Sequence, residues 1–291
     1  MMNSDKSLRV FEQARPMLMG LAYRLLGTTA EAEDVVQETY LSWSTAAQDD
    51  IANPDAWLTT VCTRKALDQL KSARKKRENY VGMWLPEPLH TTTQDTPEDR
   101  VELSESLTMA FLLVMERLAP KERAAFLLHE VFSSSYEDVA DILEVTPASC
   151  RKLVSRAKAN IQQKSQRFVA PPEKQRAMVS VFQSALETGE TAELSKLLAA
   201  DVALISDGGG KVNAVPKPLV GLEQVLGFIE KAISPAANSG KAWIEELNSC
   251  LSLVTVDGSG ITTTFTFGYD DNMKVDAIYA QRNPDKLAAF H

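Results

Sequence analysis

The sequence predicts a multidomain protein in which two all-α domains precede a C-terminal α+β domain. Apolar side chains recur with helical spacing up to about residue 165. Two proline-containing stretches without any period, 84–96 and 170–172, interrupt that pattern. After residue 200 the apolar spacing changes to alternation, as in 261–267. With 291 residues the chain is long enough for about two domains with well-buried cores.

The first all-α domain is predicted from helix signals in its sequence. Gly27 ends an apolar stripe that begins at Phe11, and Thr28 with Glu31 offers a cap for the next helix. Asn53 and Pro54 then form a cap followed by a proline at the first helical position, which opens a third helix.

The second all-α domain follows the aperiodic stretch at 84–96, which we interpret as a linker. Helices are predicted from about 97 to 118, from 120 to 131 and from Ser135, where a capping box stands. A short turn at 144–146 precedes a last helix that starts at Pro147. This order of a short helix, a three-residue turn and a basic helix is typical of a helix-turn-helix.

The C-terminal part has both helical and strand patterns, which predicts an α+β fold with an antiparallel run of strands. A loop with three glycines follows the first strand at 207–211. The predicted helices are 173–187, 190–199 and 221–233, and the predicted strands are 201–206, 242–246, 249–256, 261–268 and 274–281.

Charge is strongly segregated along the chain, although the net charge is −8. Residues 31–55 carry seven carboxylates and no Lys or Arg, and residues 86–105 sum to −5. Residues 64–77 sum to +6, and residues 151–167 hold six basic side chains and no acid. Two basic stripes in an acidic protein suggest polyanion contacts at two places.

Targeting and cysteine signals favour a cytoplasmic protein. The three cysteines are far apart, which supports neither a disulfide framework nor a zinc site. Residues 1–9 lack an apolar signal core, and the apolar run at 110–115 is far too short to span a membrane. We therefore expect no membrane association.

Each charged segment also has a plain structural interpretation. The helix at 147–164 is either a DNA-reading helix or a solvated basic helix of an ordinary bundle. Basic residues at the end of the 54–77 helix suit the helix dipole, but beside Trp57 they also suit unstacked single strands. The acidic residues at 31–38 either cap a helix or dock a basic protein surface.

Four ordered motifs within residues 8–167 resemble the extracytoplasmic-function sigma factors of the bacterial sigma-70 family. Residues 32–43 resemble the region 2 helix that binds core RNA polymerase, and 53–70 resemble the promoter-melting helix of the same region. Residues 118–128 and the helix-turn-helix from Ser135 resemble region 4.

Three further motifs resemble the subfamily with a fused C-terminal SnoaL-like domain. They lie at 80–88, 207–211 and 283–287. This resemblance implies a cone-shaped α+β domain that acts as an attached regulator, so that no separate anti-sigma factor is required. The implied domains are region 2 at 1–83, an acidic linker at 84–103, region 4 at 104–170 and the SnoaL-like domain at 172–291.

The resemblance also implies partners and site residues. Core RNA polymerase would meet the chain through the clamp helices of its largest subunit, and promoter DNA through two elements. Arg64 departs from the Asn that many relatives have, which leaves phosphate rather than base contact there. The implied polymerase-binding residues are Asp34, Gln37 and Glu38; the minus-ten residues are Trp57, Thr60, Arg64 and Lys71; the minus-thirty-five residues are Ser149, Arg151, Lys152, Ser155 and Arg156.

Intramolecular contacts between the C-terminal domain and the sigma domains are expected to regulate activity. The residues implied for them are Trp84, Pro86, Asp207, Gly208, Gly209, Gly210, Lys211, Asn283, Pro284 and Asp285. The superfamily includes enzymes, but we expect no catalytic residue, metal or cofactor, because the only histidine of this domain is His291 at the very end. Two alternatives remain: a helix-turn-helix regulator with a ligand-sensing C-terminal domain, and an isomerase-like enzyme carrying a DNA-binding domain.

Overall fold

The chain forms two compact units in a computed structural model. The structure describes residues 4–91, 105–162, 170–233 and 240–290, without the side chains of 4, 74–76 and 162. The first unit comprises Met1–Glu78 with Val114–Lys164, and the second comprises Asn79–Leu113 with Ser165–His291. The segment between the two helical regions is thus part of the same compact unit as the C-terminal residues.

Three helices build the N-terminal half of the first unit: α1 (Ser4–Leu26), α2 (Thr29–Thr45) and α3 (Pro54–Glu78). Asn53 caps α3, because its side chain accepts the Ala56 amide at 3.1 Å. Trp43 is fully buried and its indole N–H reaches the Ser7 carbonyl at 3.0 Å. The buried stripes meet in one core, whose members include Phe11, Leu18, Leu21, Leu25, Val35, Val36, Leu58, Cys62 and Leu70.

Among the described residues four shorter helices follow: α4 (Met109–Met115), α5 (Pro120–Phe126), α6 (Tyr136–Leu143) and α7 (Pro147–Gln162). α5 continues into a π turn at Leu127–Val131. Ser135 accepts the Asp138 amide at 3.1 Å and so caps α6, as its sequence predicts. Glu144 ends α6 in the left-handed conformation, with φ of 54°. This sharp turn sets α7 against α6 as a helix-turn-helix.

The second unit contains a six-stranded sheet of order β2-β1-β6-β5-β4-β3. Every neighbouring pair is antiparallel except β1 and β6, which are parallel. The strands are β1 (Leu198–Asp207), β2 (Leu219–Val220), β3 (Lys241–Leu247), β4 (Cys250–Val256), β5 (Thr262–Tyr269) and β6 (Val275–Gln281).

One face of the sheet is covered by helices α8 (Pro172–Thr188) and α10 (Leu222–Phe228), with α9 (Ala192–Leu197) between them in the chain. Phe182 of α8 contacts the rings of Phe265 and Phe267 on β5, with centroids 5.1 Å apart in each pair. These aromatic side chains are buried within the main core of this unit. α10 extends into a second π turn at Ile229–Ile233.

The opposite face is covered by the segment between the helical regions. Ile278 points into the main core, so Ala277 and Tyr279, its neighbours on β6, face the other side of the sheet. There they contact Leu85 and Met109, which are at most 2% exposed. The segment therefore contributes apolar side chains to the core of the C-terminal domain. The interpretation of 84–96 as a linker did not predict this contribution.

Several sequence expectations are revised by the structure. The helix expected over 190–199 ends at Leu197, because β1 already begins at Leu198. β2 was not predicted, since two residues carry no periodicity. The expected antiparallel run holds for β3 to β6, whereas β1 pairs with β6 in parallel. Residues 97–104 of the expected helix at 97–118, residues 92–96 of the linker and His291 lie outside the described residues.

Candidate functional site

Asp34, Gln37 and Glu38 lie on one exposed stripe of α2. Their spacing of three and four residues places them on the same helical face, which continues to Leu41, 57% exposed. Glu38 pairs with Lys65 of α3 at 3.3 Å. This face presents carboxylates around an exposed apolar side chain, an arrangement suited to a basic protein partner.

Trp57, Thr60, Arg64 and Lys71 line one side of α3. The Trp57 ring packs against Trp43 with centroids 5.5 Å apart. Thr60 donates to the Ala56 carbonyl at 2.8 Å, and Lys71 pairs with Asp68 at 2.8 Å. Lys71 is mostly exposed, so its local pair is weak and exchangeable.

Arg64 is engaged by the end of α6. Its Nε donates to the Ile142 carbonyl and its Nη2 to the Asp141 carbonyl, both at 3.1 Å. Nη2 also lies 3.3 Å from the Glu144 carboxylate. The last carbonyls of a helix have no partner within it and carry partial negative charge, so a guanidinium is a good cap for them. The predicted minus-ten residue therefore holds the helix-turn-helix in this structure.

A second set of polar contacts joins the same two parts of the first unit. Arg123 of α5 is 2% exposed and donates to the Leu25 carbonyl of α1 and to Glu116, both at 2.7 Å. Glu116 also pairs with Arg77 of α3, which in turn donates to the Leu26 carbonyl. These contacts satisfy carbonyls at the end of α1.

Ser149, Arg151, Lys152, Ser155 and Arg156 are all exposed on α7. Val154 and Ala157 of the same helix are buried, which confirms the inward face that their spacing predicts. The N-cap residue Thr146 donates to Ser149 Oγ at 2.9 Å. A solvent-facing row of hydroxyl, guanidinium and ammonium groups is suited to a DNA major groove.

The second unit gathers the predicted regulatory residues around one buried carboxylate. Asp207 is fully buried at the end of β1. Its Oδ1 accepts the Tyr80 hydroxyl at 2.7 Å and the Gly209 amide at 2.9 Å. Its Oδ2 accepts the Leu85 amide at 3.0 Å and lies 2.7 Å from Lys286 Nζ. A buried charge requires this kind of compensation.

Lys286 binds the segment at 80–85 by charge and by ring contacts. Its ammonium donates to the Leu85 carbonyl at 2.6 Å. It lies 4.4 Å from the centre of the Trp84 ring and 5.1 Å from that of Tyr80. Gln281 adds donations to the Leu85 and Pro86 carbonyls at 3.3 and 3.2 Å.

Asn283 and the glycine loop complete this network. Asn283 Nδ2 donates to the Tyr80 hydroxyl at 2.8 Å. Burial first, and then the hydrogen bond to Asp207, raises the pKa of Tyr80, so its hydroxyl stays protonated and donates. At Gly209, with φ of 63°, a Cβ would lie 2.5 Å from the Asn283 side chain. Only glycine fits that close approach.

The remaining predicted regulatory residues are less involved in the Asp207 network. Pro86 and Gly208 are buried, Pro284 opens a 3₁₀ turn at Pro284–Lys286, and Gly210 is exposed beside Val81. Lys211 and Asp285 pair with each other at 2.6 Å, and both are more than half exposed. This pair is at the surface, whereas the Asp207 network is internal.

The segment continues along the edge of the sheet after Pro86. His90 forms an antiparallel bridge with Leu247, and the Asn248 amide donates to the Leu89 carbonyl at 2.8 Å. His90 also lies 2.8 Å from Glu245 and stacks on Phe290 at 4.5 Å. The segment is therefore bound to the C-terminal domain at residues 80, 84–86 and 89–91.

Tyr80, Gln281 and Lys286 are members of the Asp207 network that the sequence-based site prediction omitted. Tyr80 and Lys286 lie inside the quoted motifs, but nothing in their spacing singles them out as buried. Gln281 is the last residue of β6, and its position opposite Pro86 depends on tertiary structure alone. All three residues lie in or next to a quoted motif, and this is how the sequence could have identified them. Helical or strand periodicity does not single them out.

An open cleft of about 330 Å³ lies between α8 and β3 in the described part of the C-terminal domain. Its walls include Gln183, Glu187 and Lys241. Among the described residues, no group of three or more His, Cys, Asp or Glu side chains is placed to hold a metal ion. No helix within the described ranges is long and apolar enough to cross a membrane.

Comparison with known protein families gives two matches. Sigma-70 region 2 matches residues 10–76, and Sigma-70, region 4 matches residues 108–161. ECF RNA polymerase sigma factor SigJ of Mycobacterium tuberculosis is 38% identical over 221 residues, which are 75% of this chain and 70% of SigJ. Probable ECF RNA polymerase sigma factor SigI of the same species is 30% identical over 243 residues, with 76% and 83% covered.

The crystal structure of Mycobacterium tuberculosis SigJ matches almost the whole chain. The TM-score is 0.78 at 31% identity, and the match covers 96% of this chain and 98% of that one. It thus includes both helical regions and the C-terminal sheet. The predicted fold class, two helical regions of the sigma type plus a SnoaL-like α+β domain, is confirmed.

Replacing Lys286 by Met should destabilise the second unit by about 3–5 kcal/mol, because Asp207 would remain buried without its cation. Hydrogen exchange of the 80–86 amides should accelerate in parallel. The matched control is Lys211→Met, which removes an exposed Lys–Asp pair and should cost about 0–1 kcal/mol. Calorimetry with exchange mass spectrometry measures both effects, and equal losses in the two variants would contradict this assignment.

Proposed function

Because this chain belongs to the extracytoplasmic-function sigma factors of the sigma-70 family, we propose that it uses three surfaces to bind core polymerase, the minus-ten element and the minus-thirty-five element. Sigma factors bind core RNA polymerase and promoter DNA and direct transcription initiation. The observation that carries the proposal is the exposed stripe of Asp34, Gln37 and Glu38 on α2. A regulator without polymerase recruitment is not favoured by these relatives.

The polymerase surface is the acidic stripe of α2 together with Leu41. It would meet the basic clamp helices of the polymerase largest subunit. Complementary charge speeds and orients such an encounter, and an apolar side chain within the charged stripe adds buried area. Glu38 would exchange its exposed pair with Lys65 for a polymerase cation.

The two DNA surfaces lie on α3 and α7. Trp57, Thr60, Arg64 and Lys71 would flank an extruded base of the minus-ten strand, where unstacking costs a few kcal/mol that stacking and cationic contacts offset. Ser149, Arg151, Lys152, Ser155 and Arg156 would read the minus-thirty-five major groove. With a net charge of −8 the free protein should bind bare DNA poorly, and polymerase supplies the remaining attraction.

The first unit, as it stands, is a closed arrangement of its two regions. The Nε and Nη2 groups of Arg64 are engaged by α6 and would have to leave these carbonyls to bind DNA. The minus-ten surface and the helix-turn-helix would therefore compete for one side chain. Promoter binding through Arg64 would release this cap.

The C-terminal domain would regulate activity by holding residues 80–91. Because these residues precede region 4, their capture by the Asp207 network limits how far the two sigma regions can separate. The domain would thus replace a separate anti-sigma factor and would itself catalyse no reaction. We retain 1–83, 84–103, 104–170 and 172–291 as the functional division of the chain. We also retain the cytoplasm, where polymerase and promoter DNA lie, as its site of action.

Removal of the C-terminal domain at residue 171 is a poor test of regulation. It would expose Leu85, Met109 and Ala110, whose cover comes partly from β6. A truncated protein would then differ from the full chain in solubility as well as in regulation. Point substitutions in the Asp207 network leave β6, and with it this apolar cover, in the chain.

The double variant Asp34→Lys with Glu38→Lys should bind core polymerase at least about tenfold more weakly, because two attractive charge contacts become repulsive. Affinity is measured by titrating immobilised core polymerase at fixed salt, with circular dichroism as a check on folding. Glu12→Lys with Asp68→Lys, on α1 and α3, makes the same change in net charge at exposed positions outside this face. An equal loss in both double variants, or no loss in the first, would refute the proposed surface.

Arg64→Ala should increase the mean distance between α3 and α6 in free protein, because the cap on α6 is lost. Fluorescence energy transfer between dyes on cysteines introduced into α3 and α6 measures this distance. Arg15→Ala removes only an exposed pair within α1 and is the control. The same Arg64 variant should lose minus-ten contacts, so a more open protein with weaker promoter melting is expected. Unchanged energy transfer would count against the closed arrangement.

Lys286→Met should bind core polymerase about three- to tenfold more tightly than the native chain, because the free protein no longer has to release residues 80–86. Lys211→Met should bind as the native chain does. Unchanged or weaker binding by Lys286→Met would show that the C-terminal domain does not restrain the sigma regions through this network.

A further inference from the structure

The side chain of Arg151 is held in one orientation by residues outside its own helix. Its guanidinium lies over the Tyr136 ring, 5.2 Å from the centroid. Its Nη2 pairs with the Glu137 carboxylate at 3.1 Å. Both partners belong to the first turn of α6, so α6 fixes the direction in which this half-exposed side chain leaves α7.

The Tyr136 ring also contacts the ring of His129. The two rings stack with centroids 3.8 Å apart and planes 29° from parallel. His129 lies in the π turn at Leu127–Val131, which precedes α6. Tyr136 thus contacts both the guanidinium of α7 and the imidazole of the π turn.

His129 itself is fixed by the loop that follows the π turn. Its Nδ1 lies 2.8 Å from the Ser134 carbonyl, and since a carbonyl only accepts, Nδ1 carries the proton. The loop reverses at Ser133 with φ of 52°. On the other side of the ring, Glu130 lies 3.5 Å from Nε2 and pairs with Lys158 of α7 at 2.7 Å. The imidazole is therefore anchored through Nδ1 to the loop at Ser134.

The stack borders a groove of about 310 Å³ on the exposed side of α7. Arg151, Ser155 and Lys158 line it together with Tyr136. The Arg151 side chain is 55% exposed, so its guanidinium is accessible from the solvent side. Arg151 is thus held by α6 on one side and accessible to solvent on the other.

We propose that His129 and Tyr136 are positioning residues that preset Arg151 for base recognition in the minus-thirty-five element. This inference rests on the proposed role of Arg151. A guanidinium reads a guanine through two parallel hydrogen bonds, which demand a defined plane. Holding that plane before binding lowers the entropy lost on contact and raises the penalty for a wrong base.

The competing explanation is that the stack only stabilises the helix-turn-helix. In that case the loss of the imidazole would weaken binding to every promoter by the same factor. Positioning predicts a different result, because the loss would fall on one base pair and would depend on the presence of Arg151.

The test uses holoenzyme reconstituted with full-length chain and promoter duplexes that carry single base-pair changes in the minus-thirty-five element. Arg151→Ala first identifies the base pair at which discrimination is lost. At that base pair His129→Ala should reduce discrimination by about three- to tenfold, with other positions unchanged. In the Arg151→Ala background His129→Ala should cause no further reduction. His129→Phe, which keeps a stacking ring, should retain most of the discrimination.

Each result has a defined meaning. An equal loss at all positions, or the same loss with and without Arg151, overturns the positioning role and leaves the proposed function intact. If Arg151→Ala changes discrimination at no base pair, the proposed role of Arg151 fails and the inference fails with it. Tyr136→Leu, which retains bulk without a ring, replaces His129→Ala if that variant does not fold, and the same outcomes apply.

Discussion

The organisation of the second unit depends on the contacts that compensate the buried charge of Asp207. A fully buried charge is tolerated only when cations and N–H or O–H donors surround it. Here the cation comes from Lys286 after β6, while the Tyr80 hydroxyl and the Leu85 amide come from the segment between the helical regions. Satisfying one carboxylate therefore brings chain segments more than 120 residues apart to the same point.

The first unit is held in a different way. Arg64 binds α6 through carbonyls near the surface, and Glu144, which completes that contact, is mostly exposed. Such contacts are weakened by salt and by competing ligands. Arg123, by contrast, is 2% exposed and donates to the Leu25 carbonyl at the end of α1. The exposed contact is the one suited to exchange with DNA, and the buried one limits how freely the regions part.

Local sequence patterns were sufficient for most elements but not for the contacts between them. The spacing of Val35, Val36 and Trp43 predicted the buried face of α2, and alternation at 261–267 predicted β5. The parallel pairing of β1 with β6 could not be predicted, because register between distant strands depends on how the helices between them pack. The exposed positions of Asp34 and Arg151 follow from helical period, whereas the engagement of Arg64 by α6, 77 residues later, does not.

Burial makes two of the cysteines poorly reactive. Cys62 and Cys250 are buried, and burial raises the pKa of each thiol to about 12. At neutral pH only about one such thiol in 10⁵ is ionised, and the thiolate is the form that peroxides attack. These two side chains are therefore poor targets for oxidants. Oxidative control of this chain would therefore need a residue other than these two thiols.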